Sequence, residues 1–151
     1  MGKEDRPAAP PRRGGGEESI EAVEIEQRIA AEPEIVFAYL TDPTKFIEWM
    51  GIGAELNPSP GGAFRLDVDG EHFAAGRYLE VEPPHRLVMT WGWEGNELVA
   101  PESTTVEITL TAVGDGTLLR LRHTGLPTEQ EMTKHRAGWR MYTTNLAARL
   151  A

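Results

Sequence analysis

The chain has 151 residues and no cysteine, which excludes thiol nucleophiles, iron–sulfur ligation, cysteine zinc sites and disulfides. Fifteen basic residues against 24 acidic ones leave a net charge of −9, a field that repels phosphate backbones and anionic lipid and so argues against nucleic-acid and membrane partners. No run approaches the ~18 apolar residues of a membrane span and the N-terminus has no apolar leader core, so the expectation is a soluble, cytoplasmic protein.

Residues 1–19 combine Pro7, Pro10 and Pro11 with Arg12-Arg13 and Gly14-Gly15-Gly16, without apolar periodicity. Nothing there offsets the ordering entropy, so a disordered tail is expected over 1–19 and one folded domain over 20–151. From Ile20 the pattern becomes alternating. Val23, Ile25 and Ile29 share a face with Gln27, opposite Glu24, Glu26 and Arg28, as in a half-buried strand. Pro33 opens a short helix with Val36, Phe37 and Leu40 as its buried stripe. Asp42-Pro43 is a second cap-and-start signal, and Phe46, Trp49 and Met50 fall on one side of the helix it opens.

Glycine and proline crowd 51–62, leaving room for one short strand near Ala54 to Asn57. Phe64, Leu66 and Val68 then alternate with charged residues up to Asp69-Gly70, the favoured pair for a tight type I′ hairpin. The returning strand covers about His72 to Val81, includes Tyr78, and carries Gly76, which predicts a bulge or close packing beneath a neighbour. Glu82-Pro83-Pro84-His85 must turn. Leu87, Met89, Trp91 and Trp93 form the next apolar face, and a longer loop spans 94–103. Val106, Ile108 and Leu110 make another strand, and Gly114-Asp115-Gly116 turns into Thr117, Leu119, Leu121 and His123.

Thr128-Glu129-Gln130-Glu131 is a capping box after Pro127. Met132, His135, Trp139, Tyr142, Leu146 and Leu150 follow at steps of three or four along a final helix. The fold class is therefore α+β, with an antiparallel sheet of six to seven strands curved around a long C-terminal helix. One helix about 10 Å wide cannot cover a flat sheet roughly 30 Å across, so the sheet must curl and leave an apolar wedge. Either aromatic side chains or a ligand must fill it. The residues expected to line it are Trp49, Phe64, Leu66, Tyr78, Met89, Trp91, Trp93, His123, His135, Trp139 and Tyr142. That makes them candidates for binding an apolar small molecule, against the alternative that the rings pack the core.

The order of elements, and several motifs within it, resemble the START-like, helix-grip superfamily, and within it the activators of heat shock protein 90 ATPase and their bacterial homologues. The motifs are Ala30-Ala31-Glu32-Pro33 through Phe37, Leu40 through Trp49, Pro60-Gly61-Gly62-Ala63-Phe64-Arg65, and Gly76-Arg77-Tyr78 through Pro84. Arg86 through Trp91, His123-Thr124-Gly125-Leu126-Pro127 and His135-Arg136-Ala137-Gly138-Trp139 complete the set. The resemblance implies lipid-, polyketide- or aromatic-type ligands, with a role in stress response or resistance. It also implies two alternatives, a polyketide cyclase-like enzyme and a chaperone-ATPase activator. The activators carry a further N-terminal domain where this chain has nineteen residues. Gly138 is expected to let the final helix approach the sheet closely.

No metal-ligand spacing joins His72, His85, His123 and His135, there is no Gly-x-Ser-x-Gly elbow, and no cofactor is expected. Acid–base chemistry, if any, would fall to His123, His135 and Tyr142, with Glu80 in reserve. The competing reading has His123 capping the turn into the helix and His135 satisfying buried backbone. The expected partners are a hydrophobic small molecule or a chaperone, with the chain monomeric or homodimeric.

Overall fold

The computed structural model describes residues 21–151, so the expected tail over 1–19 lies outside the described residues. The elements in chain order are β1 (Ala22–Ile29), α1 (Pro33–Thr41), α2 (Pro43–Phe46), β2 (Gly53–Leu56), β3 (Ala63–Asp67), β4 (Phe73–Glu82), β5 (Arg86–Trp93), β6 (Thr104–Val113), β7 (Gly116–Thr124) and α3 (Glu129–Arg149). All seven strands join one antiparallel sheet in the order β1-β7-β6-β5-β4-β3-β2. The last six run as a meander, and β1 returns to pair with β7, Val23 opposite His123. The helix-grip architecture follows: α3 lies over the concave face, against β1, and α1 and α2 cover the remaining end.

Local chemistry explains the boundaries. Pro33 sits at the first position of α1, where its missing N–H costs nothing. Asp42 Oδ1 accepts from the backbone N–H of Thr44 and Lys45, capping α2. Thr128 Oγ1 accepts from Glu131 N–H and starts α3. One face of each strand enters the core: Val23, Ile25 and Ile29 from β1, Phe64 and Leu66 from β3, Leu87, Met89 and Trp91 from β5, with Val106, Ile108, Leu110, Leu119 and Leu121 beside them. The opposite face carries ion pairs, among them Glu26–Arg120, Glu24–Arg122, Arg65–Glu94 and the Arg86 guanidinium between Glu80 and Glu107.

Three local expectations are corrected. Asp69-Gly70 does not form a two-residue type I′ turn. Only Gly70 has positive φ, and the connection from Val68 to His72 is held by carboxylates, Asp67 Oδ1 accepting from Gly70 N–H and Asp69 Oδ1 from Glu71 and His72 N–H. Aspartates that cap backbone donors compete effectively with the shorter hairpin. Second, α2 stops at Phe46, so Trp49 and Met50 are buried from the turn after it. Third, Gly138 serves no close packing, because an added Cβ would meet nothing within 4 Å. Of the two reasons expected for Gly76, close packing is the one that holds: an added Cβ would lie 2.2 Å from Thr90 O, and the bulge in β4 falls between Tyr78 and Glu80.

Candidate functional site: an open aromatic cleft beside the last helix

The final helix presents two neighbouring faces. Trp139, Thr143 and Leu146 are buried against the sheet. Glu131, Lys134, His135, Gly138, Met141 and Tyr142, again at steps of three and four, line an open cleft of about 580 Å³. The opposite wall comes from Met50, the β3–β4 connection with Asp69 and His72, Phe73, and the end of β5 with Trp91 and Trp93. Sequence periodicity joined these two faces into one stripe, because an amphipathic pattern cannot tell core from cleft.

The expected single hollow is divided. Phe64 stacks on Trp91 with centroids 5.8 Å apart, and Trp91 lies 4.9 Å from Trp139, so the rings fill the deep part of the wedge. What remains there is a closed void of about 10 Å³, bordered by Trp49, Phe64, Leu66, Tyr78, Met89, Trp91 and Trp139. Volume on the scale of one water molecule holds no organic ligand. Of the predicted lining residues, Trp93, His135 and Tyr142 face the open cleft, and Trp91 and Trp139 border both spaces. His123 lines neither, and Glu80 pairs with Arg86 on the far face of the sheet.

A chain of directed hydrogen bonds ties the helix to the sheet behind the cleft. An indole N–H can only donate, so Trp139 Nε1 donates to His123 Nδ1 at 3.0 Å, and the imidazole proton must sit on Nε2. From there it donates to Thr104 Oγ1 at 2.8 Å, whose hydroxyl donates to Trp91 O at 2.7 Å. The same logic fixes His135. Trp93 Nε1 donates to its Nε2 at 3.0 Å, leaving Nδ1–H to donate to Glu131 O at 2.8 Å. Both imidazoles are thus neutral, in opposite tautomers, with rings 5.2 Å apart. Burial pulls the His123 pKa down to about 3. His123 therefore does not cap the turn into α3; it fastens Trp139. His135 does satisfy a backbone carbonyl of its own helix.

Other groups at the cleft are less constrained. Burial, and then the Asp69 carboxylate, raise the Tyr142 pKa, so the phenol stays protonated. Deeper in, burial raises the Tyr78 pKa further. The Glu131 carboxylate is nearly buried and pairs with Lys134 at 3.1 Å. Among the described residues, Trp91 Nε1 is the buried side-chain polar atom without a hydrogen-bond partner. No cluster of three or more His, Asp or Glu among the described residues is arranged to hold a metal ion. Sequence reasoning missed Phe73, Glu131, Lys134, Gly138 and Met141. A readable signal existed for Gly138, since glycine inside a helix costs about 1 kcal/mol relative to alanine and calls for a reason.

The described helices include none long and apolar enough to cross a membrane. The family model described as "Activator of Hsp90 ATPase homolog 1-like protein" matches residues 30–151. No curated protein matches the chain. Among solved structures, an AHSA1-like protein from Rhizobium etli is 45% identical, covering 85% of this chain and 81% of that one, with a TM-score of 0.69. CalU16 from Micromonospora echinospora is 32% identical, covering 86% and 76%, with a TM-score of 0.72. DynU16, described as a putative protein in the dynemicin biosynthetic locus, is 27% identical with a TM-score of 0.76; the match covers 85% of this chain and 46% of that one.

Proposed function

We propose, starting from a chain that belongs to the activator of Hsp90 ATPase homolog 1-like family, that it works as a binding module for an apolar small molecule held in the cleft between α3 and the β3–β4 connection. The observation that carries this reading is the cleft itself: about 580 Å³, open to solvent, walled by Phe73, Trp93 and Tyr142. That volume is within the range of ordinary small-molecule sites, and the charged Asp69, Glu94, Glu131 and Lys134 line the cleft beside the rings. The similarity to DynU16, described as a putative protein in the dynemicin biosynthetic locus, supports a role in sequestering or carrying a small molecule.

Acid–base catalysis is less well supported. His123 spends both ring nitrogens on Trp139 and Thr104, and His135 spends both on Trp93 and Glu131. Neither has a free nitrogen for a substrate without breaking a bond that holds α3. Chaperone activation, the activity in the family's description, has no particular observation in its favour in this chain.

The test is a titration with Nile red, a neutral dye whose emission shifts to the blue in apolar surroundings. Saturable blue-shifted emission, reduced in Tyr142→Ala and unchanged in Glu24→Ala on the far face, is expected. Emission that never saturates, together with native mass spectra of protein from its own host carrying no bound small molecule, would remove the reading.

A further inference from the structure

Gly138 stands in the middle of a 21-residue helix, on the face that lines the cleft, with nothing within 4 Å of where a Cβ would be. Most other described glycines have visible reasons, Gly53 excepted. Gly76 and Gly92 lie under backbone carbonyls, 2.2 Å from Thr90 O and 1.7 Å from Ala100 O for an added Cβ, and Gly70 takes a positive φ. Gly138 has neither reason, being helical with open space above it. Its effect is to leave helix backbone bare in the cleft wall, between His135 one turn before and Tyr142 one turn after.

Resting on the proposed cleft reading, we infer that Gly138 is the size-determining position of the site, and that the ligand is a compact planar aromatic molecule seated on the bare backbone there rather than a flexible acyl chain. Two observations favour the planar class. First, the apolar part of the cleft's lining is flat: the rings of Phe73, Trp93 and Tyr142, and the helix backbone at Gly138. Aromatic faces gain most from another ring, through offset or edge-to-face packing. Second, an acyl chain needs an enclosed apolar tunnel to bury its length. The way inward is shut by Trp91 and Trp139, with only the void of about 10 Å³ behind them. A long chain would leave much of its surface in water, whereas a two- or three-ring ligand is short enough to lie within the mouth. Gly138 sets the depth of that seat, because any side chain there would project into it.

The experiment titrates ¹⁵N-labelled protein with 2-naphthol and, separately, with 1-dodecanol, following the Gly138 amide and the Trp93 indole N–H. It uses wild type, Gly138→Ala and Gly138→Leu, each with its thermal midpoint recorded. The expected result is saturable 2-naphthol binding centred on those two signals. Affinity should fall about threefold in Gly138→Ala and at least tenfold in Gly138→Leu, while the thermal midpoints hold or rise because both replacements favour helix more than glycine does. If Gly138→Leu fails to fold, the alanine variant alone decides, since its added methyl meets open space. Unchanged 2-naphthol affinity in the folded variants overturns the role of Gly138. Dodecanol binding as tightly as 2-naphthol overturns the planar class yet leaves the cleft reading standing. Neither compound binding overturns both.

Discussion

Exchanging His123 for a group that keeps its hydrogen bonds but cannot take a proton isolates how the buried relay sets acid stability. His123 is fully buried and its folded pKa lies near 3, against an ordinary value of 6.5 in the unfolded chain. The imidazole is neutral in the fold, so as pH falls below about 6.5 the unfolded chain binds a proton that the folded chain refuses. Stability from this residue is fully present above that value and is lost progressively down to pH ~3. The slope is half-developed at pH 6.5 and approaches about 1.4 kcal/mol per pH unit below it, so roughly 2 kcal/mol disappears between pH 6.5 and 4.5. In His123→Gln, the amide oxygen can accept from Trp139 Nε1 and the amide nitrogen can donate to Thr104 Oγ1, but nothing titrates. Urea unfolding, followed by tryptophan fluorescence at pH 7.0, 6.0, 5.0 and 4.5, should give a wild-type curve that falls with acid and a variant curve flatter by about 2–3 kcal/mol over that window. Carboxylates titrate alike in both proteins and cancel in the difference. Parallel curves, within about 0.5 kcal/mol, would refute the claim that a buried neutral imidazole governs this range.

Three further outcomes follow from the packing. Trp139→Phe strands His123 Nδ1 without its donor and should cost about 1–3 kcal/mol more in urea unfolding than Trp91→Phe, which removes an indole N–H that already lacks a partner. Gly76→Ala should destabilise by at least about 3 kcal/mol, because the new methyl would lie 2.2 Å from a backbone carbonyl of β5 that the sheet cannot move; a thermal midpoint equal to wild type would contradict this. Asp42→Ala should cost about 1 kcal/mol through loss of the α2 cap, and Asp42→Asn much less, as read by chemical denaturation.

The strands, the two short helices that open on Pro33 and Pro43, and the amphipathic last helix were legible because each depends on neighbours in sequence. Alternation puts Val23, Ile25 and Ile29 on one face of β1, and the Thr128 cap needs only Glu131, three residues on. The same local logic fixed the helix-grip class, since one rod cannot cover seven strands unless they curl. The β3–β4 connection was misread for a related reason: Asp67 and Asp69 each had two uses, as turn residues or as caps, and the pair of residues alone does not choose.

What the wedge holds was decided only in three dimensions. Periodicity placed Trp91, Trp93, Trp139, His123 and His135 on inward faces, yet no spacing brings residues from β5, β7 and α3 into register. In the fold, Trp91 and Trp139 close the deep space, Trp93 with His135 forms a wall of the open one, and His123 withdraws into a relay. Periodicity determines which way a side chain points. How much room it finds depends on the volumes of partners from distant strands, and that is why the ring-filled interior, the cleft and the bare helix at Gly138 belong to the tertiary structure.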